Sequence, residues 1–355
     1  MVGAGVFGAS VARELALRGW DVTLVEQYAP GNVRSASGGD TRLIRFAHGE
    51  SEWYTELAWR ARSRWLELQE RTGARIYEEI GVAWFAKSGD GFEARSGATL
   101  EQVGVPHEWL SPDDAAGLYP SLRVDDLHAV LYEPDAGVLH ARRATQLLVD
   151  DAERLGVRIE GGRVEPGAAR GDVVVWACGP WLAGLFPDVV DVKVSRRDEF
   201  FFGVPAVWRG RPGYCEYDAA FYGHGELAGY GMKISSDAAG VEIDPDTVDR
   251  VPDLERRQLS RDYAALRFPA LAGAPVVGTR VCQYDLTIDT HFLVDRHPEH
   301  PDWWLLGGGS GHGFKHGPAF AEYAVDCIEG ARAPEPFHLR GARTGDAGLR
   351  TGSYG

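Results

Sequence analysis

Glycines at the start of the chain have the spacing that lets a backbone bind a pyrophosphate. The segment MVGAGVFGASVARELALRGWDVTLVEQ contains Gly3, Gly5 and Gly8 as G-x-G-x-x-G. The first permits a tight turn, the second lets the anion approach the backbone, and the third lets the following helix pack closely on a sheet. The strand DVTLVE then ends at Glu26, whose carboxylate can accept hydrogen bonds from a ribose diol. Together these parts predict an adenine dinucleotide site, and the acid favours FAD or NAD over NADP.

The alternative for this segment is a glycine-rich turn that binds nothing. Only Met1 and Val2 precede Gly3, although the first strand of such a unit ordinarily supplies several apolar residues. The central strand of the sheet is therefore short: either the start of the chain is misassigned or the fold tolerates a stub.

A second glycine-rich segment, GGGSGHGFKHGP at residues 307–318, precedes the apolar helical pattern AFAEYAVDCIEG. The first N–H groups of a helix have no intrahelical partner, so they form a site for negative charge. Taken alone, the segment is equally well explained as a strand-to-helix turn.

Two single residues could also have a chemical role. Lys233 lies in the small and apolar strand GYGMKISSD. An unpaired buried lysine is costly, so this one either extends outward or has a function. Cys282 lies in TRVCQYD, and from composition alone it is a buried thiol.

Charge and composition restrict the partners. The formal net charge is −15 and no Lys/Arg block forms a basic stripe, which argues against nucleic acid and anionic membranes and favours a small-molecule ligand. The cysteines are widely spaced without a C-x-x-C pair, which predicts neither a disulfide framework nor a zinc site: Cys178, Cys215, Cys282 and Cys327. No apolar run reaches the roughly 20 residues of a membrane span and no signal peptide is evident, so we expect a cytoplasmic protein.

The elements that must position these residues follow an α/β pattern. The segment 52–73 keeps apolar residues at helical spacing, Ser111 and Pro112 begin a short helix, and 141–160 is a helix followed by a strand. We predict a discontinuous, Rossmann-like cofactor domain, with an inserted mixed or antiparallel β-sheet substrate domain. The predicted cofactor domain comprises residues 1–75, 137–195 and 276–340, the substrate domain 76–136 and 196–275, and a loosely held tail 341–355.

Three motifs carry a family resemblance. GDTRLIRFAHGE at 39–50, VCQYDLTIDTHFLVDRHPEH at 281–300 and GGGSGHGFKHGP at 307–318 resemble the monomeric sarcosine oxidase and N-methyltryptophan oxidase branch of the D-amino-acid-oxidase-like flavoproteins. With the first glycines, the resemblance spans nearly the whole chain. It implies that the Rossmann-like domain is an FAD-binding domain of the glutathione-reductase-2 type. It also implies oxidation of the C–N bond of a secondary or N-methyl amino acid to an imine, and reduction of oxygen to hydrogen peroxide.

The resemblance also assigns cofactor contacts. It implies that Cys282 carries FAD as a thioether on the flavin 8α-methyl group; the alternative is a buried strand cysteine. Gly311, His312, Gly313 and Phe314 would stabilise the negative charge of the reduced flavin. The remaining predicted FAD contacts lie in the same motifs and in the second dinucleotide-type segment: Val6, Phe7, Arg34, Gly39, Thr41, Arg42, Val164, Cys178, Gly179, Trp181, Gly309 and Lys315.

For the substrate, the resemblance implies that Arg45 and Lys315 bind the carboxylate, a role that suits a bidentate guanidinium beside an ammonium. It implies that Lys233 promotes the reaction with oxygen, since a fixed positive charge would stabilise superoxide as it forms. Tyr222 and Tyr284 match tyrosines of the substrate cavity. The alternatives are solvated charges for the cations and core packing for the tyrosines.

Some positions depart from the family pattern. Ser37 and Gly38 replace a His-His pair, Asp237 replaces a cavity histidine after Lys233, and the roof segment FYGHGELAGYG adds His224 and Glu226. These departures put sarcosine itself in doubt, and the added acids could favour a substrate with a second cationic or hydrogen-bonding group.

The sequence therefore predicts a monomeric FAD-dependent amine oxidase without a metal, HPEH at 297–300 being a turn. Three alternatives remain. One is an oxidase of a primary, glycated or biosynthetic imine-forming amine; another is an FAD-dependent dehydrogenase that uses a different electron acceptor. The third is an FAD-binding protein without catalysis.

Overall fold

The computed structural model describes residues 1–332 together with Phe337 and Leu339. Within this part of the chain the α-helices are α1 (Val6–Leu17), α2 (Glu52–Thr72), α3 (Phe92–Val103), α4 (Pro112–Ala115), α5 (Ala141–Arg154), α6 (Leu182–Leu185), α7 (Leu254–Arg267) and α8 (Gly317–Ile328). The strands are β1 (Thr23–Glu26), β2 (Arg42–Ile44), β3 (Tyr77–Glu78), β4 (Val82–Ala86), β5 (Glu108–Leu110), β6 (Ala129–Glu133), β7 (Gly137–Leu139), β8 (Arg158–Gly161), β9 (Val174–Trp176), β10 (Lys193–Phe202), β11 (Gly213–Glu216), β12 (Phe221–His224), β13 (Met232–Ser236), β14 (Val276–Leu286), β15 (Leu293–Arg296) and β16 (Trp303–Gly307). The predicted tail 341–355 lies outside the described residues.

The first residues lie at the centre of a mainly parallel sheet. Val2 pairs with Val25 on one side and with Trp176 on the other, both in parallel. Outside these neighbours β1 pairs with β8 and β9 pairs with β16, and β15 forms the edge antiparallel to β16. The central strand is thus a stub of residues 1–3, in which Val2 pairs with both halves of the sheet and Met1 and Gly3 hydrogen-bond to Val25. Helix α1 packs against α5 and α8, which cover this sheet with their apolar residues.

The second sheet has eight strands among the described residues, in the order β14-β10-β13-β12-β11-β4-β6-β5. Only the β11–β4 pair in it is parallel. Strands β4–β6 and β10–β13 come from separate segments of the chain, in keeping with a sheet built from two insertions. The α/β class with a large mixed sheet is confirmed.

The strand pairing departs from the predicted segmentation at one point. We predicted that residues from 276 onward belong to the cofactor domain, but β14 pairs along its length with β10 in the eight-stranded sheet. A small third sheet has the strand order β2-β7-β3, and Arg42 is the first residue of β2. The domain boundaries remain a prediction.

Local sequence signals for helices and turns are confirmed. The Ser51 side chain accepts a hydrogen bond from the Tyr54 N–H at the start of α2, and the Ser111 side chain does the same for Asp114 in α4. The apolar face of α2 is buried as core, including Trp65. Residues 297–302 form the turn between β15 and β16.

Candidate functional site

The first glycine motif has the close contacts that its predicted turn requires. Gly3 has φ of +97°, and a β-carbon added there would lie 2.5 Å from the Ala177 carbonyl oxygen. One added to Gly8 would lie 1.9 Å from the Gly3 carbonyl oxygen. Glu26 is fixed at the end of β1, where its Oε2 accepts the Ala4 N–H at 2.8 Å. The segment therefore has the compact turn, helix start and oriented carboxylate of a dinucleotide cradle.

Two cavities border this turn, and a third shares wall residues with the second. The first has Gly3, Gly5, Glu26, Val164, Cys178, Gly179 and Trp181 in its wall. The second has Gly5, Val6, Phe7, Arg42, Gly179, Tyr284, Gly309, Gly311, Gly313 and Phe314. The third has Arg42, Arg45, Tyr222, Asp237, Tyr284, Gly311, His312, Phe314 and Lys315. They contain about 650, 560 and 660 Å³ of space not filled by atoms, which includes the open space at their mouths.

Most of the predicted site residues thus lie along one continuous path. Six of them lie outside these three walls: Gly8, Arg34, Gly39, Thr41, Lys233 and Cys282. Gly8 and Gly39 serve close packing, since a β-carbon on Gly39 would come within 2.2 Å of Arg42 Nη1. Arg34 is exposed, whereas Cys282 is buried directly before the wall residues Gln283 and Tyr284.

The second glycine loop is also closely packed. Gly311 has φ of +76°, and a β-carbon there would lie 2.7 Å from the Tyr284 ring. Asp285 supports the loop by accepting the Gly309 N–H at 3.1 Å and, through its carbonyl oxygen, the Ser310 N–H at 2.9 Å. Burial raises the pKa of the Asp285 carboxyl to about 6. Sequence analysis did not identify Asp285, although its position beside Tyr284 is a signal that could have done so.

A buried charge cluster joins β2, β10 and β13. Arg42 Nη1 and Lys233 Nζ lie 3.1 and 2.9 Å from the same oxygen, Oε1 of Glu199. Arg42 also donates to Cys282 Sγ at 2.9 Å, and Lys233 donates to the Thr41 carbonyl oxygen at 3.3 Å. Lys233 is therefore turned toward Glu199 behind the cavity walls. Sequence analysis missed Glu199, because nothing near it in the chain shows that it meets two cations.

Burial and the opposite charge of the partner shift the pKa values of Glu199 and Lys233 in opposite directions. Burial raises the pKa of Glu199, but the positive charges of Lys233 and Arg42 outweigh burial and lower it overall. For Lys233 burial is the larger effect and lowers the pKa, while Glu199 opposes it.

Arg45 and Lys315 share the wall of the third cavity. Lys315 is buried and its Nζ donates to the His312 carbonyl oxygen at 3.0 Å. The Arg45 guanidinium lies 4.9 Å from the centre of the Trp84 ring. Burial, and next the charge of Arg45, lower the pKa of the Lys315 ammonium. Two neighbouring cations in a desolvated wall form a site for an anion such as a carboxylate.

Glu133 holds the backbone beside this pair. Its Oε2 accepts the N–H groups of Phe46 and Ala47 at 2.6 and 3.1 Å, and its Oε1 accepts the Trp84 indole N–H at 2.6 Å. Burial raises the pKa of the Glu133 carboxyl. This residue, which sequence analysis missed, fixes the segment that follows Arg45.

Part of the wall of the third cavity is aromatic. The rings of Phe92 and Tyr217 stack with centroids 4.1 Å apart, and both belong to the wall with Trp84 and Asp237. Cys215 also belongs to this wall.

A histidine cluster lies beside the cations. His48, His312 and His316 are buried, and one ring nitrogen of each lies within 4.8 Å of the others. Burial, and next the charge of Lys315, lower the pKa of both His48 and His316 well below the usual value. Three neutral imidazoles can bind zinc. The adjacent charges of Lys315 and Arg45 oppose a dication, so we assign no metal to this cluster.

None of the helices in the described part of the chain is both long and apolar enough to cross a membrane.

Comparisons with known proteins identify the family of the chain. The family model described as FAD dependent oxidoreductase (DAO) matches residues 1–327. A monomeric sarcosine oxidase from a Bacillus species is 28% identical over 349 residues, covering 91% of this chain and 89% of the relative. An N-methyl-L-tryptophan oxidase from Escherichia coli is 26% identical over 382 residues, covering 96% and 97%.

Solved structures share the fold. L-proline dehydrogenase from P. horikoshii superimposes with a TM-score of 0.82 at 22% identity, covering 95% of this chain and 94% of that one. Fructosamine oxidase (Amadoriase II) from Aspergillus fumigatus has a TM-score of 0.82 at 22% identity, covering 99% and 93%.

Proposed function

The chain belongs to the DAO family of FAD-dependent oxidoreductases, and we propose that it oxidises the C–N bond of a secondary or N-methyl amino acid to an imine, with oxygen reduced to hydrogen peroxide. The observation that carries this proposal is the wall shared by Arg45 and Lys315 in the third cavity, directly beside the glycine loop of the second. A carboxylate bound there would place the amine end of an amino acid toward that loop.

The residues present fit FAD. The turn at Gly3 and Gly8 and the loop at Gly311 each lack the space for a side chain, as a closely approached cofactor cradle requires. Glu26 would bind the ribose of the adenosine half. When bound, the flavin supplies the two-electron acceptor for amine oxidation.

The chain's own residues provide binding, alignment and charge. Arg45 and Lys315 orient the substrate carboxylate, and Tyr222 and Tyr284 line the wall near the amine. Alignment of the α-carbon with the acceptor is the main requirement, because a neutral amine needs no strong protein base. The N–H group of Gly311 is suited to stabilise negative charge as it develops, whereas those of His312 and Gly313 already donate to the Gly309 carbonyl oxygen.

We also propose that Cys282 binds FAD covalently. Its thiol lies next to Arg42, a residue of both the second and third walls, and it directly precedes the wall residues Gln283 and Tyr284. Burial raises the pKa of the Cys178 thiol to about 12, so that thiol stays protonated and is a poor alternative anchor.

We propose a substrate larger than N-methylglycine. The wall of the third cavity includes the aromatic rings of Phe92 and Tyr217, which suit contact with a larger apolar group on the substrate. Asp237 in the same wall could bind a cationic or hydrogen-bonding group on the side chain. An amine panel scored by peroxide release tests this proposal, and it fails if N-methylglycine is turned over faster than every larger amine.

A dehydrogenase that passes electrons to another acceptor is the second candidate. The position of Lys233 favours it, because this lysine belongs to none of the three cavity walls and its ammonium is turned toward Glu199. Comparing the rates of flavin reoxidation by air and by an artificial quinone separates the two candidates.

We further propose that the protein works as a monomer, which size-exclusion chromatography with light scattering would test.

A further inference from the structure

We propose that Glu199 is a positioning residue that acts through Lys233: it is the counter-ion that keeps this lysine protonated, and it thereby sets the pH range in which the lysine can assist oxygen reduction. The inference rests on the proposed function, because it concerns the oxygen step. It also makes a claim about the two side chains that does not depend on catalysis.

The sheet register brings the pair together. Glu199 of β10 is directly opposite Ser235 of β13, and Lys233 lies two residues before Ser235, on the same face of the sheet. The Lys233 Nζ is 2.9 Å from Glu199 Oε1, and only 2% and 1% of the two side chains are exposed. Such a contact is a charge-assisted hydrogen bond shielded from water, where the attraction between opposite charges is strong.

The two carboxylate oxygens of Glu199 have different surroundings. Oε2 is buried and has no hydrogen-bond partner within residues 1–332 or the two other described positions. Oε1 alone faces both Lys233 and Arg42. The carboxylate is thus held by its cations, and its removal would leave two positive groups facing each other.

The groups around Lys233 identify Glu199 as its acidic partner. Arg42 approaches from β2, Tyr222 and His224 from β12, and Cys282 from β14. The Lys233 Nζ lies 5.4 Å from the centre of the Tyr222 ring. Burial, and next the charge of Lys233, lower the pKa of His224 to about 3, so this imidazole is neutral.

Without the carboxylate the lysine would lose its charge more readily. Burial lowers the pKa of Lys233, Arg42 lowers it further, and Glu199 provides the main opposing charge. A glutamine at position 199 keeps the shape and removes the charge. The ammonium would then lose its proton at lower pH, and with it the charge that stabilises superoxide.

The test compares the wild type with Glu199→Gln, Glu199→Asp and Lys233→Met. The first measurement is the rate at which reduced enzyme reacts with oxygen as a function of pH. We expect the alkaline decline of this rate to move at least one pH unit lower in Glu199→Gln, and Glu199→Asp to restore most of the shift. Glu216→Gln is the matched control, because it removes another buried glutamate from an ion pair, with Arg267, that does not contact Lys233.

The second measurement is the urea midpoint of the purified protein between pH 6 and pH 10. A lysine whose folded pKa lies below its unfolded pKa makes stability rise with pH between the two values. We therefore expect the midpoint of Glu199→Gln to rise more steeply with pH than that of the wild type. Adding Lys233→Met to Glu199→Gln should remove the extra slope.

The outcomes distinguish the counter-ion claim from the proposed role of Lys233 in the oxygen step. If the unfolding profiles of Glu199→Gln and the wild type superimpose, the counter-ion inference is wrong whatever the activity. If Lys233→Met reacts with oxygen as fast as the wild type, the proposed role of Lys233 in the oxygen step is wrong, and the unfolding profiles still decide the counter-ion claim. A shift in both profiles that depends on Lys233 supports the inference.

Discussion

The hydroxyl groups of Tyr222 and Tyr284 lie 3.2 Å apart, so a strand of the cavity roof contacts the strand that carries Cys282. Tyr284 belongs to the walls of both the second and the third cavity. The Arg197 guanidinium lies over the Tyr284 ring, 4.8 Å from its centre. The two tyrosines therefore form the boundary at which the proposed cofactor and substrate would meet.

Replacing Arg45 by Met should weaken substrate binding. The carboxylate loses a charge-assisted hydrogen-bonded partner worth about 1.5–3 kcal/mol, so we expect KM to rise about 10- to 100-fold while flavin reduction at saturation changes less. Steady-state kinetics with an amino acid and with the matching amine that lacks the carboxylate provide the comparison. Arg60→Met, at an exposed ion pair, is the control. Equal losses with both substrates would argue against a carboxylate site.

Replacing Cys282 by Ala should release the flavin. After acid denaturation of the wild type, the yellow colour should stay with the polypeptide, and in the variant it should pass into the filtrate. Cys327→Ala, a buried change within α8, should keep the colour on the protein. Flavin in the filtrate of the denatured wild type would show that attachment is not covalent.

Asp285 should make stability depend on pH. Its pKa is raised from 3.8 to about 6, so its contribution is fully present below about pH 4 and is lost as pH rises through 6. Asp285→Asn cannot ionise, and the loss between pH 4 and pH 7, up to about 3 kcal/mol for a shift of this size, should disappear. Urea unfolding at both pH values measures it. An unchanged slope in the variant would contradict the assignment of this pH dependence to Asp285.

Replacing Asp237 by Asn should change substrate preference. We expect kcat/KM for N-methyl amino acids with a cationic side chain to fall about tenfold, because the charge-assisted contact is lost. The value for apolar side chains of similar length should change by less than about twofold. A fall of the same size for both classes would show that Asp237 supports the cavity without selecting its ligand.

Local chemistry explains which parts of the molecule the sequence could predict. The glycine turn, Glu26, the caps at Ser51 and Ser111 and the family motifs depend on residues close together in the chain, and the family and fold class they indicate are confirmed. Arg45 and Lys315 were placed by resemblance, and the structure brings both into one cavity wall.

The remaining features depend on contacts between distant segments. Glu199 meets Lys233 because of the β10–β13 register, and Glu133 reaches Phe46 across 87 residues of sequence. Strand register is set by the whole sheet and cannot be read from one strand. For the same reason the pairing of β14 with β10 could not be predicted from the sequence. No local pattern distinguishes these buried acids from ordinary surface acids.

The central claim is oxidation of an amino acid through bound flavin. The most direct measurement is the flavin absorbance of the purified protein after anaerobic addition of secondary and N-methyl amino acids, followed by air. We predict that at least one of them bleaches the flavin band, and that air restores it with about one equivalent of hydrogen peroxide. A flavin band that none of these amino acids bleaches would contradict the account.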